Sequence, residues 1–104
     1  MKQLPKRFKK FQKEFPEVAK AYEELGSAVH KSGPLNEKTR ALIKLAISTG
    51  AGMEGAVHSQ TRKAIEAGCT KDEIKQTVIL ALPTIGFPAT MAVMSWVEDI
   101  IEKK

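Results

Sequence analysis

The sequence predicts an all-α protein, and three observations carry that prediction. Apolar residues recur at alternating spacings of four and three, as in Leu4, Phe8, Phe11, Phe15, Val18, Tyr22, Leu25 and Val29, which is one face of a helix. Helix-boundary residues sit where such stripes begin and end. Runs of β-branched residues with period-two alternation, the mark of strands, are absent.

The elements follow in order. Pro16 would remove a backbone hydrogen bond from a continuous first helix, so the stripe is divided into helices over 3–14 and 16–31, with Pro16 in a first turn beside Glu17. Ser32-Gly33-Pro34 is a break. Asn36 then caps a helix over 37–50, with Leu35 placed to staple it and Leu42, Ile43, Leu45, Ala46 and Ile47 as its apolar side. Gly50-Ala51-Gly52 loosens its end, and the next helix covers 53–67 and stops at Gly68. Thr70 and Glu73 form a capping box for a helix over 70–82, with Ile74, Val78, Ile79, Ala81 and Leu82 turned inward. Pro83, Gly86 and Pro88 mark a bend before a last helix over 88–102.

At 104 residues and 42% apolar composition, the chain is one domain's worth, 1–104. A body this small buries a modest share of its surface alone, so self-association is expected. The longest apolar stretch, near 78–82, is far short of a membrane span, and no signal peptide is visible after the basic start. The one cysteine, Cys69, excludes an intramolecular disulfide, a CxxC pair and a four-cysteine zinc site, which fits a reducing cytoplasm.

The net charge of +5 is unevenly spread. Six of the 17 basic residues lie in the first 13 positions, and the remainder has 11 basic against 12 acidic residues. Phosphate binding by those lysines, or membrane-surface binding through Phe8, Phe11 and Phe15, are two readings of this segment. Packing of the aromatics is favoured, because their stripe continues into the next helix. Nucleic acid and membrane are therefore not the expected partners.

Gly52 to Gln60 is the most unusual stretch. Glu54 and His58 are four residues apart and share a helix face. Such a pair can transfer protons near neutral pH, although an exposed helical ion pair is the commoner meaning. Two ligands fall short of the three or four a zinc site needs, and His30 is distant in sequence, so no metal is expected. Cys69 has no partner cysteine and reads as a small turn residue.

The run Thr61-Arg62-Lys63-Ala64-Ile65-Glu66-Ala67-Gly68-Cys69-Thr70-Lys71-Asp72-Glu73-Ile74 resembles the core of the carboxymuconolactone decarboxylase family, which shares the alkylhydroperoxidase D-like fold. Ile85-Gly86-Phe87-Pro88-Ala89 resembles that family's glycine-aromatic-proline-alanine junction, and Asn36 to Ala46 its preceding helix. The likeness covers about 33–97, with 1–32 as added N-terminal helices. It implies a subunit of five to six helices around a central helical hairpin, assembled with itself as a trimer or hexamer.

The resemblance also implies which chemistry is missing. Aligned through Thr61-Arg62-Lys63, the two cysteines of the peroxidase branch fall on Met53 and Ala56, its histidines on Gly55 and Gln60, and its upstream glutamate on Ala41. A thiol peroxidase needs an attacking thiolate and a resolving sulfur, so dithiol peroxidase activity is not expected. The lactone decarboxylase branch lacks those cysteines too, but carries a histidine where this chain has Gln60. His58 lies two residues earlier, about 200° round the helix.

Two functions stand open at this stage. One is cofactor-free proton transfer or decarboxylation on a small organic acid or lactone, with Glu54, His58 and Gln60 as catalytic candidates and Arg62 as the substrate's anion anchor. The other is a non-catalytic binding or scaffold protein. Nucleic-acid binding through the basic end is a third alternative.

Overall fold

A computed structural model describes residues 5–102. Seven helical segments are present among them: α1 (Lys6–Glu14), α2 (Pro16–His30), α3 (Glu37–Ala51), α4 (Glu54–Glu66), α5 (Lys71–Ile79), the single turn α6 (Leu82–Ile85) and α7 (Phe87–Ile101). No strand occurs among the described residues. The contacts divide the chain into two compact units, Met1–Pro34 and Leu35–Lys104. The division falls at the break marked by Ser32-Gly33-Pro34.

In the first unit α1 packs against α2. Pro16 starts α2, as its missing N–H requires. The Phe11 and Phe15 rings stand 5.6 Å apart, and Gln12 Nε2 donates to Glu23 Oε2 at 3.3 Å. Only Ala19 is buried within α2. Val18, Tyr22, Leu25 and Val29, spaced four, three and four, remain more than half exposed. The first residue of that stripe, Leu4, lies outside the described residues, as does Lys2.

The second unit holds the core. Leu45 of α3, Val57 and Ala64 of α4, Ile74 and Val78 of α5, and Val93 and Val97 of α7 are all at most 1% exposed. Each of the larger ones contributes roughly 1.5–3 kcal/mol by leaving water. Threonines fill the remaining space. Thr61, Thr77 and Thr90 donate their hydroxyls to the carbonyls of Val57, Glu73 and Gly86, four residues back in each case. That local bond satisfies the oxygen, so the rest of the side chain packs like valine.

The helix ends are set by local chemistry. Asn36 Oδ1 accepts the Thr39 N–H at 2.9 Å. Leu35 does not bury itself as a staple: it is 49% exposed, while its carbonyl accepts from Arg40 at 2.6 Å. Gly52, at φ 66, ends α3 in the left-handed conformation and turns the chain into α4. Gly68, at φ 92, does the same after α4. The continuous helix expected over 70–82 instead stops at Ile79, because Pro83 lacks an N–H and fits only the first turn of a new segment, α6.

α3 departs from the sequence expectation in a useful way. Its core side is Ala41, Leu45, Ser48 and Thr49, whereas Ile43, Ala46 and Ile47 face away. The helix is apolar on both sides, and only the packing partners decide which side is interior.

At α5, Thr70 Oγ1 accepts the Glu73 N–H at 3.0 Å and Glu73 Oε1 accepts the Thr70 N–H at 2.8 Å. The Thr70 backbone bond, and then nearby Lys38, hold the Glu73 carboxyl below its ordinary range. Replacing Thr70 by alanine should cost about 1 kcal/mol in urea unfolding. Because the folded-state value of Glu73 is depressed, its contribution is present above the unfolded value, about 4.3, and fades as pH falls through the folded one. The melting advantage of the native chain over Glu73→Gln should therefore shrink in scans below pH 4.

Candidate functional site at the start of α4

α4 buries Val57, Thr61 and Ala64 along one side. Residues flanking that row are carried to the rim of the core. Glu54 is the first residue of the helix and His58 follows one turn later. On α7 the buried row is Thr90, Val93, Val97 and Ile101, and Asp99 projects beside it in the last turn. α4 and α7 pack together, so the start of one lies against the end of the other. His58 Nε2 and Asp99 Oδ2 stand 3.0 Å apart, with the two side chains 25% and 56% exposed. Glu54 completes the group: one donor atom from each of Glu54, His58 and Asp99 lies within 4.8 Å of the others.

Glu54 and His58 are thus brought together as their spacing suggests, but the hydrogen bond of the imidazole goes to Asp99. Sequence reasoning passed over Asp99. It is 41 positions from His58, and Glu98-Asp99 reads as the solvated side of an amphipathic helix. Arg62 is one further turn along α4, so Glu54, His58 and Arg62 form a row spaced by four. Gln60 lies about 200° round the helix from His58. It is half-buried, and its Oε1 has no hydrogen-bond partner among the described residues.

The positions aligned with the missing redox groups hold no sulfur nucleophile. Met53 is 59% exposed, Ala56 is half-buried and Ala41 belongs to the core. Cys69 sits elsewhere, in the turn before α5. Its thiol is buried, and Sγ lies 3.8 Å from the Lys38 carbonyl, to which it donates weakly. Burial, and then the Glu73 carboxylate, push this thiol up from its ordinary value, and a thiol that stays protonated is a poor nucleophile. On α3, burial, followed by the positive charges of Lys63 and Arg40, lowers the Lys44 ammonium.

At pH 7, alkylation of Cys69 by iodoacetamide should run at least about tenfold slower than that of free glutathione. Mass spectrometry of timed samples reads this directly. Hydroperoxide turnover with a dithiol donor should match the protein-free control.

Comparison with known proteins gives four findings. A family model described as the carboxymuconolactone decarboxylase family matches residues 16–99, taking in α2 as well as the 33–97 core. An uncharacterized protein of Methanocaldococcus jannaschii is 34% identical over 76 residues, covering 73% of this chain and 71% of the relative. A 4-carboxymuconolactone decarboxylase of Acinetobacter baylyi is 29% identical over 68 residues, covering 65% of this chain and 51% of the relative, so the match spans about half of that enzyme. No solved structure matches.

Proposed function

The chain belongs to the carboxymuconolactone decarboxylase family, and we propose that it is a thiol-independent member that assembles with copies of itself and performs lyase-type chemistry on a small organic acid. The observation that carries this reading is the meeting of Glu54, His58 and Asp99 from two packed helices. In a decarboxylation the electron pair of the C–CO2 bond passes into an adjacent carbonyl as an enolate, and the carbon then takes a proton. No oxidant, reductant or sulfur is required. Polar groups fixed around the developing charge lower the barrier, and removing one such group costs about 10²–10³ in rate. Arg62, one turn beyond His58, is the anchor for the acid's carboxylate. Gln60, turned away from His58, is left out of the reacting group.

Self-assembly is supported by the apolar surface left in water. Ile43, Ala46, Ile47 and Gly50 form one exposed face of α3, and Val18, Tyr22, Leu25 and Val29 another on α2. Stripes of this kind mark interaction surfaces. A non-catalytic assembly protein is the second reading, favoured by the exposure of Glu54 and Asp99 to solvent.

No helix among the described residues is long and apolar enough to cross a membrane.

Sedimentation at low micromolar concentration should give trimers or larger species, and Ile47→Glu or Leu25→Glu should shift them to smaller ones. A folded monomer of the native chain would remove the assembly reading. Against a panel of small lactone and β-keto acids, carbon dioxide release should fall at least about 100-fold in His58→Gln and Asp99→Asn and stay unchanged in Cys69→Ser. An intact oligomer with no turnover on any member of the panel would leave the scaffold reading in its place.

A further inference from the structure

We propose that Glu54, His58 and Asp99 form a binding site for a divalent first-row transition-metal ion. This goes beyond the organic-acid reading and concerns the same centre, so it rests on taking that trio as functional. The sequence offers two ligands, Glu54 and His58, and two are too few. Tertiary packing supplies a third, from a helix that begins 29 positions after His58 in the chain.

The spacing suits an ion. Donors bound at about 2.1 Å are separated by about 3.4 Å in the tetrahedral geometry of zinc and by about 3.0 Å at octahedral angles. His58 Nε2 and Asp99 Oδ2 are 3.0 Å apart. The three donor atoms already lie within 4.8 Å of one another, and rotation within the exposed Glu54 side chain closes what remains.

The framework beneath is stiff. His58 follows Val57, which is 0% exposed, and Asp99 comes two residues after Val97, also 0% exposed. Two of the three ligands are therefore held on helices anchored in the same core cluster.

Donor chemistry selects the class of ion. One imidazole with two carboxylates suits zinc, cobalt, nickel or manganese. All-oxygen sites are what calcium and magnesium prefer, and copper(I) prefers thiolates. Two carboxylates against one divalent charge give a neutral centre. Asp99 lies in the last turn of α7, where the negative end of the helix favours a cation and offsets the positive end of α4 at Glu54. Three protein ligands leave at least one position open, where the carbonyl or carboxylate of a small acid would bind and be polarised.

The test uses the 104-residue chain without an affinity tag, stripped with chelator and titrated with cobalt(II) and zinc(II) in the absence of substrate. Trp96, the chain's one tryptophan, stands one turn before Asp99 on α7 and is half-buried, so paramagnetic cobalt should quench it. The expected result is saturable binding of one ion per chain, with visible cobalt absorption bands. Affinity should fall at least about tenfold in each of Glu54→Gln, His58→Gln and Asp99→Asn, and remain unchanged in His30→Gln. Circular dichroism of the metal-free variants confirms that they are folded. Absence of saturable binding would overturn the proposal. So would binding that survives both Glu54→Gln and Asp99→Asn, since a lone imidazole would then account for it, and so would binding lost in His30→Gln. Turnover of an organic acid plays no part in these titrations, so failure of the lyase reading and failure of this one appear in different experiments.

Discussion

The buried row Val57, Thr61 and Ala64 along α4 is the constraint on which the rest of the second unit depends. α4 is packed by α3 and by α7, and both of those helices bury small or branched side chains. With Val57 and Val97 completely excluded from water, neither helix can rotate without uncovering apolar area. Shortening a buried Val or Leu in such a setting leaves a cavity that helices can only partly close. His58 and Asp99 are therefore aimed by their neighbours, not by each other. Their 3.0 Å contact is a consequence of the packing.

The same packing sets what α4 offers to solvent. Gly52 reverses the chain and Met53 is extended ahead of the first turn. Gly55 and Ala56 are small residues in that turn, and Glu54, His58 and Arg62 share one side of the helix. The Cys69 thiol lies in a different turn, where burial pushes it up from its ordinary value.

The two apolar faces of α3 are unequally buried. Leu45 on one side is completely buried, while Ile47, two residues on and about 200° round the helix, is 66% exposed. A helix apolar on both sides is at home between two layers, and within the second unit the described residues supply only one of them. The exposed stripe on α2 raises the same demand in the first unit. Surface of this kind is the physical reason to expect copies of the chain to cover one another.

Much of the local structure was determined by sequence alone. Asn36, the Thr70–Glu73 box, Pro16 and Gly68 act on atoms within a few residues of themselves, so their caps and stops are legible one residue at a time. The helical class and the family likeness follow from the same short-range patterns. The helix end before Pro83 is not legible in this way, because a helix ending at Ile79 and one ending at Leu82 differ by a single turn with similar apolar content. Only the tertiary structure decided which side of α3 became interior and that Asp99 is the partner of His58. Those outcomes depend on which helix packs against which across 41 positions of chain, and side-chain direction there is set by the shared burial of Val57 and Val97, which no local spacing encodes.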